Sequence, residues 1–263
     1  MARSLRTVID MKHLIASLLL ALPGLAGAQA LLDFRSDLAF SETEVDALAA
    51  QEYRERLRAL ERKGELDRDP ALLRRLEDIL PSLRHAAAYE RPDSARLAWE
   101  VHVCSGCDES ASAMAGGKLL VSADFVARLA LDDGELAYLL AHEMAHVLAE
   151  HTREFATLAR AFVGNGFKRG YADIGEQLAQ DLSVNLRMKP AYDQQELEAD
   201  YAGFILGAHA GFAPEAMLRL LGKLHSDSRS LLGTHPSDAE RLRRARAMLG
   251  TARILAERSR GGR

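Results

Sequence analysis

The spacing of apolar residues divides this chain into helical segments around a short strand-like middle. Leu72, Leu73, Leu76, Ile79, Leu80 and Leu83 recur at intervals of three and four, which predicts a helix over 70–90. Pro70 suits the first turn of that helix, while Pro81 predicts a kink or an early end. Upstream, Ser41 followed by Glu44 has the form of a capping box and opens a polar-faced helix over 41–62. After Pro92 the period changes. Leu97, Trp99, Val101 and Val103 alternate with Ala98, Glu100 and His102, which predicts a strand. Lys118-Leu119-Leu120-Val121-Ser122, entered through Gly116-Gly117, predicts a second strand, and the two suggest a small antiparallel sheet. The helical period then returns over about 135–155 and is broken at Gly164-Asn165-Gly166. Further helices are expected near 171–188, 193–210, 214–226 and 237–249, with Pro190, Gly211, Pro214 and Pro236 at their boundaries. The whole reads as α+β and mainly α-helical, with no internal repeat.

Composition narrows the class. The chain has 263 residues, 48% hydrophobic and 27% charged, which fits a globular protein and argues against disorder or a multi-span membrane protein. A formal charge of −4 gives no reason to expect a nucleic-acid partner, and any membrane contact is expected to be at most peripheral. At the N-terminus a basic start precedes the apolar run Leu14–Leu22 and small residues ending in Ala28 or Ala30. This is the pattern of a cleaved signal peptide, with Met1 or Met11 as start, and it predicts a periplasmic protein. The expected organisation is a signal peptide over 1–30, an N-terminal helical region over 31–92, a catalytic domain over 93–250 and a disordered tail over 251–263.

Candidate chemistry begins at His142-Glu143-Met144-Ala145-His146. Histidines four apart sit about 40° from one another around a helix, so both rings can meet one ion. Their neighbours Leu139, Leu140, Ala141, Val147 and Leu148 are apolar, and two buried imidazoles need a partner that a metal supplies. Glu143 projects about 100° from His142. That suits a general base better than a ligand. Zinc hydrolases commonly take three protein ligands. Ala149 and Thr152 stand where a metzincin needs Gly and His, which excludes that class, and His151 reads as the end of the helix. Glu196 and Asp200, four apart, share a helix face; one carboxylate can bind the ion and the other orient a ligating histidine. The assignment gives Glu196 to one Zn2+ per chain and Asp200 to the supporting role. The alternative is an exposed acidic face with Glu198 simply solvated.

These residues lie within a longer resemblance. The segment from Glu135 to Val147 is similar to the active-site helix of the HtpX-like gluzincin peptidases, a family with BepA-, LoiP- and Oma-like members and the CAAX prenyl proteases as relatives. Glu196 and Asp200 match its E-x-x-x-D element, Ala111–Val121 resembles its strand along the cleft, and Thr234-His235-Pro236-Ser237 with Glu240-Arg241 is similar to its C-terminal element. Ser112 stands where the family usually has Asn and Ala115 where Pro is common. The resemblance covers about residues 70–250 and implies a zincin-like catalytic domain, His142, His146 and Glu196 as zinc ligands, and Glu143 as base. It implies for His235 an inhibitory latch or a transition-state helper; the residue-level alternative is a cap for the helix that follows.

Cys104 and Cys107 are the only cysteines. A zinc knuckle would need a second pair of ligands, and a redox pair normally opens a helix, so a disulfide at the tip of a hairpin is expected. The function these readings support is a zinc-dependent endopeptidase of the cell envelope acting on unfolded or misassembled proteins. An extended substrate is expected to add beside residues 117–122. The rivals are a non-proteolytic assembly factor with a structural zinc site, and a thiol oxidoreductase.

Overall fold

The computed structural model describes residues 38–107, 109–163, 182–226 and 238–261. The expected signal peptide lies outside them. Eight α-helices and three strands occur among the described residues: α1 (Glu42–Lys63), α2 (Pro70–Glu90), β1 (Glu100–Cys104), β2 (Ala111–Met114), β3 (Lys118–Ser122), α3 (Ala123–Leu129), α4 (Asp133–Leu148), α5 (His151–Val163), α6 (Leu182–His209), α7 (Glu215–Ser226) and α8 (Asp238–Gly261). The expected helix starts are capped as the side chains suggest. Ser41 accepts from the Glu44 N–H, Asp69 accepts from Ala71 and Leu72, and α2 continues past Pro81 to Glu90.

The sheet differs from the expected antiparallel pair. Its order is β1-β3-β2, with β1 parallel and β2 antiparallel to β3. The segment 117–122, expected to be a binding edge, therefore lies mostly in the central strand and is hydrogen-bonded on both sides. The edge strand on the cleft side is β2, whose short Ala-Ser-Ala-Met run carries too little period-two signal to be read as a strand by itself.

Helix α4 runs through the core. Leu136, Ala137, Tyr138, Leu140, Ala141 and Met144 are fully buried, among residues from α2, the sheet, α6, α7 and α8. Its N-terminus carries a reciprocal capping box between Asp132 and Glu135. Glu135 is itself buried and held by Lys223 at 2.7 Å, which ties the start of α4 to α7. Two glycines let α6 approach α4. A Cβ on Gly203 would lie 2.8 Å from the His142 backbone nitrogen, and one on Gly207 would lie 2.4 Å from the Tyr138 ring. Only glycine permits that closeness.

Three helix boundaries depart from expectation. The helix expected over 135–155 stops at Leu148, Glu150 takes a left-handed conformation at φ 59°, and α5 restarts at His151. Arg91, distant in sequence, donates to the Leu148 carbonyl and to Glu150, so the stop is imposed by a tertiary contact. Pro190, expected at a boundary, lies inside α6; Met188 just before it is fully buried in a cluster with Val45, Ala156 and Ala159, which anchors that turn despite the missing N–H. Finally, α8 runs through the stretch expected as a disordered tail. Ala252 and Ala256 are fully buried, and Ser259 donates to the His209 carbonyl at 2.6 Å.

Candidate metal centre and cleft

His142 and His146 project from α4 towards Glu196 on α6. The two Nε2 atoms are 3.2 Å apart. Glu196 places its oxygens 3.4 Å from each of those nitrogens. One Glu196 oxygen faces each histidine, Oε2 towards His142 and Oε1 towards His146, and ligands about 2.0–2.1 Å from a tetrahedral zinc stand roughly 3.3 Å apart, so each of these separations suits such a site. The three residues form a group able to hold a metal ion. His142 is buried and the other two half-buried, and Glu143 lines the same cleft beside them.

Asp200 stands one turn beyond Glu196. Its Oδ1 lies 3.1 Å from the His142 Nδ1, the nitrogen turned away from Glu196. Arg241 from α8 grips the same carboxylate with two bonds, at 2.6 and 2.7 Å. Burial disfavours the Asp200 anion, but Arg241 and His142 outweigh it and hold the carboxyl below its ordinary range. For His142 burial works against the cation, yet Asp200 and Glu196 outweigh it and push its pKa up to about 10. This donor set is thus rich in negative charge and suited to a cation.

The other acidic and histidine residues of the segment are also buried. Glu198 is 7% exposed and lies against His151 at 3.7 Å, so it is not a solvated bystander. His151 does not end α4 as expected; it opens α5, buried, with its Nδ1 2.9 Å from the His146 Nδ1. The pairing of these two residues depends on the α4–α5 turn, which a linear pattern does not show. Arg241 belongs to the C-terminal motif, and nothing in its spacing connects it to Asp200. His235 lies outside the described residues.

The cleft has a volume of about 800 Å³. Its polar floor is formed by His142, Glu143, His146, Glu196 and Asp200. One side carries Phe125, Leu139, Met217, Leu220, Leu221 and Leu224, while Phe155 and Tyr192, with ring centroids 4.8 Å apart, stand at another. Ser110–Ala113 at the β2 edge also border it. The Ser122 N–H donates to the Ser110 carbonyl, which sets the phase of the ladder. Alternation then turns the N–H and C=O groups of Ala111 and Ala113 away from β3. Cys104 and Cys107 are joined in a disulfide, as expected, with Cys104 at the end of β1 and Cys107 at the rim of the cleft.

Comparison with known proteins agrees with this site. The sequence profile of "Peptidase family M48" matches residues 70–249. The chain is 31% identical over 192 residues to the mitochondrial metalloendopeptidase OMA1 of Saccharomyces cerevisiae, covering 66% of this chain and 55% of that protein. It is 31% identical over 170 residues to the enzyme of the same name from Schizosaccharomyces pombe, covering 62% and 50%. It is 29% identical to that of Arabidopsis thaliana over 165 residues, covering 61% and 33%. The chain thus spans about half the length of the two yeast relatives. No solved structure matches it. The periplasmic location expected from the N-terminus is overturned by these relatives and by a fourth from Bos taurus, all named as mitochondrial.

Proposed function

Since the chain belongs to peptidase family M48, we propose that it is a zinc-dependent endopeptidase that hydrolyses unfolded or unassembled protein chains. The observation that carries this reading is the convergence of His142, His146 and Glu196 on one point of an open cleft, the two Nε2 atoms 3.2 Å apart and each 3.4 Å from its own Glu196 oxygen. Zinc bound there supplies the Lewis acidity that polarises a scissile carbonyl and acidifies water. Glu143, on the same helix and facing the cleft, accepts the proton of the attacking water and returns it to the leaving amine. Asp200, fixed by Arg241, stands 3.1 Å from the His142 Nδ1; its charge favours the proton on that nitrogen and leaves Nε2 free for the metal.

Substrate binding follows from the β2 edge. An extended chain laid along β2 meets the outward backbone groups of Ala111 and Ala113, so much of its affinity comes from main-chain bonds. Main-chain recognition selects for extended, unfolded segments. The apolar wall of Phe125, Leu139 and Leu220 then favours hydrophobic side chains near the cleavage point. A fold that keeps its own hydrophobic residues buried cannot offer them to the cleft.

The test is hydrolysis of a chemically unfolded protein by zinc-loaded wild type and Glu143→Gln. The variant is expected to retain one zinc per chain and to lose about 10²–10⁴-fold in rate. Chelation is expected to abolish wild-type cleavage, and added zinc to restore it. Equal rates for wild type and Glu143→Gln would overturn the mechanism and favour a non-proteolytic assembly role.

A further inference from the structure

The arrangement on His142 has a counterpart on His146 that the proposed reaction does not yet use. Directly after the left-handed Glu150, α5 turns the His151 ring back onto α4. The two ring nitrogens, Nδ1 of His151 and Nδ1 of His146, are 2.9 Å apart, and the rings meet edge-on at 74°. On its far side the His151 Nε2 lies 3.7 Å from Glu198, an ion-pair separation longer than a hydrogen bond. Gln195 donates to the His151 carbonyl at 3.4 Å and to Glu154 at 3.1 Å, so α6 and α5 hold the backbone of this residue as well. His151, Gln195 and Glu198 are all buried.

Two imidazole nitrogens at hydrogen-bond distance must divide the roles of donor and acceptor. When His146 offers Nε2 to a metal as a neutral ligand, its proton sits on Nδ1, and His146 is the donor. The His151 Nδ1 must then accept, which leaves the His151 proton on Nε2, facing the Glu198 carboxylate. The negative charge of Glu198 favours that tautomer over the other. We propose that His151 and Glu198 are positioning residues for the metal centre, Glu198 selecting the His151 tautomer and His151 orienting the His146 ring. The inference rests on the metal-site reading above. It makes the site symmetric in logic though not in chemistry: an Asp backed by Arg241 orients one histidine, and a His backed by Glu198 orients the other.

The test measures zinc affinity by competition with a chromogenic chelator, the visible spectrum of the cobalt-substituted protein, and melting of the metal-free protein. His151→Leu fills the space without an acceptor, whereas His151→Asn keeps an oxygen near the Nδ1 position. His151→Leu is expected to weaken zinc binding by about 10–100-fold and to alter the cobalt spectrum. His151→Asn is expected to recover most of the affinity even if its metal-free melting temperature equals that of His151→Leu. Glu198→Leu is expected to weaken binding several-fold, and to add little once His151→Leu is present, because both act through one ring. Glu198→Leu also carries the test if His151→Leu does not fold. Wild type that binds zinc with His151→Leu or Glu198→Leu unchanged would overturn the inference alone, as would Asn and Leu variants of equal affinity. Wild type that binds no zinc would overturn the site reading and the inference with it.

Discussion

Glu150 shows how much one side chain can decide. It holds a left-handed turn at φ 59°, unusual for a residue with a Cβ, and is kept there by Arg91 and Arg153. Partial burial raises its carboxyl pKa, but the two arginines outweigh that and leave it below the ordinary glutamate range. A carboxyl depressed in the folded state stabilises above its unfolded pKa, near ~4.3, and that stability is lost as pH falls through the folded value. Glu150→Gln is therefore expected to lower Tm at pH 7 by about 2–4 °C, the difference shrinking as wild type is acidified below about pH 4. A gap that stayed constant to pH 2 in thermal melts would contradict this account. Arg241 offers a second test. Its removal leaves the buried Asp200 carboxylate short of its strongest partner, a change that costs about 3–5 kcal/mol. Arg241→Met is expected to lower both Tm and zinc affinity, and Arg241→Lys to restore less than half, because a single ammonium cannot reproduce the two parallel bonds.

At the scale of elements, the crossing of α4 and α6 sets the distance between the histidines and Glu196. Gly203 lies seven residues, about two turns, after Glu196, hence on nearly the same face of α6. A methyl at Gly203 would press on backbone atoms of Ala141 and His142 within 3.0 Å, which cannot rotate aside. Gly203→Ala is expected to cost about 1–3 kcal/mol and to weaken zinc binding, since the separation between helices must widen. Gly222 in α7 is the control. A Cβ there meets nothing within 4 Å, so Gly222→Ala is expected to stabilise by about 0.5–1 kcal/mol with zinc affinity unchanged. Melting curves and zinc titrations of the two variants check both statements. If Gly203→Ala bound zinc like wild type, α4–α6 closeness would not be what sets this site.

For the whole molecule, helix α4 is enclosed by elements drawn from across the sequence. Leu76 and Leu83 of α2, Val103 and Leu119 of the sheet, Phe204 of α6, Met217 of α7 and Ala252 of α8 belong to one core. No helix among the described residues is long and apolar enough to cross a membrane. The end of α8 closes this core, with Arg253 bound to Glu215 at 2.6 Å and Ala256 fully buried. Deleting residues 251–263 is expected to lower Tm by a few degrees while zinc stoichiometry stays at one, because the truncation leaves Arg241 in place. Loss of zinc from the truncated protein, measured by metal analysis, would show that α8 supports the site along its whole length.

The sequence by itself determined the local parts. Periodicity located α2, α4 and most of α6, the Ser41 cap located the start of α1, and Pro70 opens α2 as its fixed φ dictates. The spacing of His142 and His146 and of Glu196 and Asp200 follows from helix geometry, which depends only on neighbours three and four residues away. Tertiary structure decided what depends on distant partners. It ended α4 through Arg91, placed β3 at the centre of a mixed sheet, paired Asp200 with Arg241 and buried Glu198 against His151. The helix at His142–His146 could be recognised from its own residues, but the surroundings that tune it are supplied by packing.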